Sequence, residues 1–343
     1  MSLNKKLPIS AVSDSGTTHF NIVTWTGDGN NNRQITGVGF QPAMVWIKKR
    51  SSGSNAQWMV LDIVRGVDRV LDSSTNAAQY PLPGAGTGGY VPSFDLDGFT
   101  LTSNVIVNGS GETYVAFCWK LPTSTSTNSA GDINTTLSTN DDLGLSVTTH
   151  LGTRSGATAT IGHGLSAIPD FWILKNLNST TNWRTFLRSA PSAQKSGAFN
   201  TEEVFYNEYI DPTSTLVTMS VSIVNGQSGS AANPSNIVMF IMRNSNFMQF
   251  GTYEGSTSSV TISGLPFQPR FIMTKNIDEA ASSDNWYIQD SVRGLGKILY
   301  ANESSQESSE TVRTTFNDDG FTIATGDNAL NENGQTFMYW VIK

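Results

Sequence analysis

The chain has 343 residues and carries 21 Lys and Arg against 28 Asp and Glu, a formal net charge of −7. That length accommodates two or three domains, and the acidic balance, with Lys48-Lys49-Arg50 as the one local basic run, excludes the clustered cations that a nucleic-acid partner requires. One cysteine, Cys118, excludes an internal disulfide framework and a thiolate zinc site, and the lack of any run of about 18 apolar residues argues against membrane insertion.

With charged residues at 14% and with Gly, Ser, Thr and Asn crowding the intervals, the composition suits strands joined by turns. Period-two alternation recurs and helical spacing does not, so an all-β fold is expected. Residues 1–18 match nothing else in the chain. Lys5 and Lys6 are followed by no apolar run, so no export signal is read. Leu3, Leu7, Ile9 and Val12 are candidates for anchoring this arm, either on the chain's own first domain or on a neighbour.

The first repeat is placed at 19–120. It opens with Phe20-Asn-Ile-Val-Thr-Trp25 and reaches Ile35-Thr-Gly-Val-Gly-Phe-Gln-Pro42, which runs into Ala43-Met-Val-Trp-Ile-Lys48. This stretch returns as Ile161 to Pro169 with Asp170 to Lys175, and as Ile262 to Pro269 with Arg270 to Lys275. Gly37, Gly162 and Gly264 are expected to allow the turn, and Pro42, Pro169 and Pro269 to lead it into a strand. Alternation puts Met44 with Trp46, Phe171 with Ile173, and Phe271 with Met273 on one apolar face. The other face reads as partly buried, and Lys48, Lys175 and Lys275 as strand-end charges whose heads reach water.

Gln57-Trp-Met-Val-Leu-Asp62 and Val64-Arg65-Gly66 follow, then a hairpin over 94–101 whose Asp97-Gly98 favours a type I′ turn. Thr113 to Lys120 is apolar on both faces and reads as a central strand. Residues 121–146 are Ser/Thr/Asn-rich and read as a linker or surface strap. The divergent second repeat, 147–243, lacks the Val-Arg-Gly and Asp-Gly elements. It retains Trp183 to Leu187, an alternating Leu216 to Ile223 and a closing strand from Asn236 to Arg243. The third, 244–343, repeats the first in order, including Val292-Arg293-Gly294. The short junction at 244–246 predicts close packing of the second and third repeats, with the first more independent.

Asp95-Leu-Asp97-Gly98 resembles part of a calcium loop but lacks the full ligand spacing, and the turn reading is preferred. The carboxylates of Asp97, Glu112, Asp319 and Glu332 show no pairing of the kind a glycosidase needs. His19, His150 and His163 are scattered and read as surface or turn residues, not metal ligands. Arg65 and Arg293 are candidates for surface binding, but a structural role, bridging strands or pairing with Asp62 and Asp290, is preferred because acid and base recur together. Trp25, Trp58, Trp183 and Trp286 could stack on sugar rings, but most are expected in the core, since they fall on strands at matching places in the repeats. No catalytic residue, cofactor or metal is assigned.

The runs I-T-G-V-G-F-Q-P-x-x-V-W-I-K, D-x-V-R-G, F-D-x-D-G-F and G-E-T-Y-V-A-F-C-W-K resemble a repeat domain of unknown function found in virion proteins of tailed bacteriophages, many from marine and cyanobacterial hosts. The resemblance is good over 19–120, clear over 246–343 and loose over 147–243. It implies a structural protein of the virion, made in the host cytoplasm and displayed as a tail fibre or tail-associated protein for host attachment. Its expected partners are other virion proteins, reached through the arm, and a host-surface glycan or envelope protein; a homotrimer would fit a fibre. The alternatives are a head decoration protein, a stand-alone carbohydrate-binding module and, last, a glycan depolymerase. The fold expected from the repeats is three tandem β-sandwich domains behind a short arm.

Overall fold

The structure is a computed structural model in which residues 18–53, 56–81, 90–152, 158–207, 212–220, 235–279, 284–326 and 328–343 are described. Leu3, Leu7, Ile9 and Val12, the candidate anchors, lie outside them, as do Val221 and Ile223. Among the described residues the chain is nearly all antiparallel β-sheet, with two single-turn helices. Neither is long and apolar enough to cross a membrane.

In the first repeat β1 (Phe20–Thr26), β2 (Arg33–Ile35), β3 (Met44–Lys49), β4 (Trp58–Asp62), β5 (Arg69–Val70), β6 (Tyr80–Pro81), β7 (Ser93–Asp95) and β8 (Gly98–Leu101) precede helix α1 (Val105–Asn108) and β9 (Thr113–Trp119). A four-stranded main sheet has the order β1-β9-β3-β4, and a small sheet the order β2-β8-β7. The second repeat runs through β10 (Ser126–Asn128), β11 (Thr135–Asn140), β12 (Leu145–Leu151), β13 (Thr158–Gly162), β14 (Phe171–Asn176), β15 (Arg184–Leu187), β16 (Ser196–Ala198), β17 (Leu216–Ser220) and β18 (Asn236–Met242). Its main sheet is β10-β11-β12-β18-β14-β15-β16 and its small one β13-β17. The third contains β19 (Met248–Glu254), β20 (Val260–Ile262), β21 (Phe271–Asn276), β22 (Tyr287–Asp290), β23 (Lys297–Tyr300), β24 (Ser308–Ser309), β25 (Thr314–Asn317), β26 (Gly320–Ile323), helix α2 (Asn328–Asn331) and β27 (Thr336–Ile342). Its sheets are β19-β27-β21-β22-β23-β24 and β20-β26-β25.

The closing strands β9, β18 and β27 each sit between two neighbours, as their two apolar faces require. One face of each main sheet turns to its small sheet. Val45, Ile47, Tyr114 and Ala116 meet Ile35, Phe99 and Leu101 in the first repeat, and equivalent clusters fill the second and third. The opposite faces of all three main sheets converge on a single core containing Trp46, Phe117 and Trp119, Phe171 and Phe240, and Phe271 and Trp340. The second face of the organising strands, expected to be partly buried, is therefore fully covered: all six residues of β3, β14 and β21 are buried.

The repeats close into a ring through matching contacts. Trp58 donates its indole N–H to the Tyr300 carbonyl at 2.8 Å, Trp183 to the carbonyls of Asp72 and Thr75 at 3.2 and 3.0 Å, and Trp286 to that of Ala198 at 3.2 Å. Three backbone bonds of 3.0 Å cross the same junctions in the opposite direction: Gln79 N–H to the Leu177 carbonyl, Phe205 to Ile277, and Glu307 to Arg50. Leu177, Ile277 and Arg50 each lie two residues beyond the lysine of their own repeat, so the three junctions are equivalent. A hydrogen bond contributes about 1 kcal/mol net; these bonds set the register, while the shared aromatic core supplies the driving force. The first repeat is thus not the independent one: Arg50 also grips Glu307 at 2.8 and 2.9 Å, and Phe20 packs edge-on against Phe271.

Other expectations need correction. Lys48, Lys175 and Lys275 are fully buried, because their strand face is the one that enters the central core. The stretch expected as a linker contains β10 and β11, and both Leu137 of β11 and Ile133 between the two strands are buried. In the second repeat the left-handed glycine is Gly164, not Gly162, which instead ends β13.

Candidate functional site

The small sheet of the first repeat carries an outward-facing polar surface, and its construction starts from the organising turn. Gly37 adopts φ 87° and Gly39 φ 84°, conformations that favour glycine. Both backbone N–H groups donate to the Asp97 carboxylate, at 3.0 and 2.6 Å, and Val38 N–H reaches the Asp97 carbonyl at 3.2 Å. Those two N–H groups hold the Asp97 carboxyl below the usual range. In the third repeat Asp319 does the same for Gly264 at 3.1 Å and Leu265 at 2.8 Å. The Asp of each Asp-Gly pair is therefore a clasp for the turn, which answers the calcium-loop reading.

The hairpin forms as expected, but its turn residues are Leu96 and Asp97, neither at positive φ, so it is not type I′. Gly98 is needed for a different reason. A Cβ there would lie 1.9 Å from the Ile35 carbonyl oxygen, and one on Gly320 1.8 Å from that of Ile262.

Alternation sends Ile35, Phe94, Phe99 and Leu101 inward and leaves Gln34, Thr100, Ser93 and Asp95 on the outer face. Ser93 and Thr100 each donate a hydroxyl to one Asp95 oxygen at 2.7 Å, fixing that carboxylate. Gln41 donates to the Phe94 carbonyl at 2.7 Å. Gln34, Thr36, Gln41 and the segment Phe94 to Asp97 line a groove of about 500 Å³, with Leu96 86% exposed at its rim.

The sequence candidates fall elsewhere. Arg65 pairs with Asp62 at 2.6 Å and caps the Val60 carbonyl at 2.9 Å, with its side chain 1% exposed. Arg293 pairs with Asp290, reaches the Ile288 carbonyl at 3.1 Å and bonds Glu307 at 3.0 Å, fully buried. Both are structural pairs and neither is brought to a surface. Burial alone would raise the Glu307 carboxyl, but hydrogen bonds from Arg50 and Arg293 outweigh it and hold the group below its usual range. Trp25, Trp58, Trp183 and Trp286 are buried, so no face of theirs is open for stacking on a sugar. His150 and His163 are buried rather than superficial, and burial pushes His150 down to about 4. Among the described residues no three His, Cys, Asp or Glu side chains gather where a metal would bind.

The sequence profile of a domain family of unknown function, DUF7483, matches residues 15–343. The chain belongs to this family. A single family profile spans all three repeats, in keeping with a ring whose repeats share one core. No curated protein matches the sequence. The groove residues escaped the sequence reading because Gln34, Gln41 and Leu96 belong to no motif of known chemistry. The available signal was the comparison of repeats: Phe94, Asp97, Gly98 and Gln41 recur as Phe316, Asp319, Gly320 and Gln268, while Gln34, Asp95 and Leu96 become Thr261, Asn317 and Asp318.

Proposed function

We propose that this DUF7483 protein is a structural protein of a tailed-phage virion, displayed on the particle surface as a tail fibre or tail-associated protein and used for host-surface adhesion. In this reading each main sheet and its small sheet form one β-sandwich, and the three sandwiches are held as a ring by the shared core. The observation that carries it is the division of the small sheets of the first and third repeats into an inner apolar face that recurs and an outer polar face that changes at several positions, although Thr100 and Thr322 coincide. Ile35, Phe99 and Leu101 correspond to Ile262, Phe321 and Ile323, whereas outward Gln34 and Asp95 correspond to Thr261 and Asn317. A constant scaffold that carries variable outward residues is the arrangement of a display protein. The sequence resemblance supplies the virion setting. Immunogold labelling of intact particles with antibodies to this chain tests the reading; labelling on the tail exterior is expected, and absence from particles or exposure only after capsid disruption would overturn it.

A further inference from the structure

We propose that the groove on the outer sheet of the first repeat is a subsite for a neutral, hydroxyl-rich saccharide. The inference rests on the adhesion reading and adds the ligand class and the place where it binds. Its walls are Gln34 and Thr36 on one side, Gln41 behind, and Phe94 to Asp97 along the hairpin. The volume of about 500 Å³ lies within the ~300–1,000 Å³ of small-ligand sites.

The chemistry of the lining selects the class. Each Asp95 oxygen accepts one hydroxyl, from Ser93 or Thr100, and retains acceptor capacity. Gln34 and Thr36 are exposed and have no intramolecular side-chain partner among the described residues. Amide and hydroxyl groups both donate and accept, as sugar hydroxyls do; a bare cation would answer only the acceptors. No Lys, Arg or His lines the groove, and Asp95 and Asp97 make its field negative, so a uronate, sialate or sulfate would meet repulsion. Leu96, at the exposed rim, offers an apolar surface to the C–H face of a pyranose ring.

The third repeat provides an internal contrast. There the equivalent outer polar groups satisfy one another: Thr261 and Thr322 hydroxyls lie 2.9 Å apart, and Asn317 donates to Thr322 at 2.9 Å. In the second repeat Thr160 is engaged by Asp132, through its hydroxyl at 2.8 Å and its N–H at 3.0 Å. In the first repeat, by contrast, the oriented Asp95 carboxylate lies beside the exposed side chains of Gln34 and Thr36.

The test uses the full chain with labelled leucine methyls, titrated with maltotriose, cellotriose, chitotriose and lactose, and with sialyllactose as the anionic counterpart. At least one neutral saccharide is expected to bind and shift the Leu96 methyls, with sialyllactose at least tenfold weaker. The double variant Asp95→Asn, Leu96→Asp installs the third repeat's own residues; it should keep the thermal midpoint and lose at least tenfold in affinity. Absence of binding by every neutral saccharide, equal binding of sialyllactose, or unchanged affinity in the double variant would overturn the proposal. The two readings fail separately: a chain absent from the particle surface that still binds through Leu96 sinks adhesion alone, and a surface-displayed chain that binds nothing here sinks the saccharide site alone.

Discussion

At the residue scale the buried lysines are the groups most altered by the fold. Lys175 donates its ammonium to the carbonyls of Asn176 and Ser179 at 2.9 and 3.0 Å, and burial pulls its pKa down from 10.5 to about 8. Lys48 and Lys275 are drawn to about 8 by the same burial, partly opposed by Asp72 and Glu303 in one case and by Asp284 and Glu202 in the other. A base with a depressed folded pKa contributes its full stability above its unfolded pKa and loses it as pH falls through the folded one. Relative to Lys175→Met, the wild type should therefore gain stability between pH 8 and pH 10, on the order of 2 kcal/mol. Urea midpoints measured at both pH values check this; a constant difference between the two proteins would show that Lys175 stays charged in the fold.

At the scale of the element, the closing strands matter most because each belongs to two apolar layers at once. In β9, Tyr114, Ala116 and Cys118 face the small sheet while Val115, Phe117 and Trp119 face the central core. Trp119 and Trp340 stack at 6.2 Å across the boundary between the first and third repeats, both fully buried. Truncation of either to Ala should cost roughly 3 to 5 kcal/mol, since the surrounding sheets are hydrogen-bonded and cannot collapse into the space. Chemical denaturation measures it, and a loss under about 1 kcal/mol would mean that the strand end is peripheral.

At the scale of the whole molecule, the ring makes the repeats interdependent. Freed from the other two, residues 19–120 would bare Trp46, Phe117 and Trp119 to water and leave Arg50 without Glu307. Burial of such side chains contributes about 1.5 to 3 kcal/mol each, so exposing these three alone removes a large part of the roughly 5 to 15 kcal/mol that a domain commonly holds in reserve. The isolated fragment is expected not to fold, and the full chain to unfold in one calorimetric transition whose van't Hoff and calorimetric enthalpies agree. A soluble, monomeric fragment with a cooperative transition of its own would show that the ring contacts are dispensable.

The all-β class, the strands at 44–49, 171–176 and 271–276 to within a residue, and the central place of 113–119 were legible in the sequence. Each follows from local rules: alternation marks faces, and Gly with Pro marks the turns between them. The Asp62–Arg65 and Asp290–Arg293 pairs were legible too, because acid and base recur together three residues apart. The burial of the lysines, the ring and the groove were not. Alternation tells which face of a strand is apolar, but not what covers it. Lys48 donates its ammonium to the Ala56 carbonyl of its own repeat and, at 3.2 Å, to that of Glu303, 255 positions away. Closure of the ring depends on Trp58 meeting Tyr300 and Trp183 meeting Asp72, partners that share no local pattern. Only packing of the three main sheets around one core brings them together.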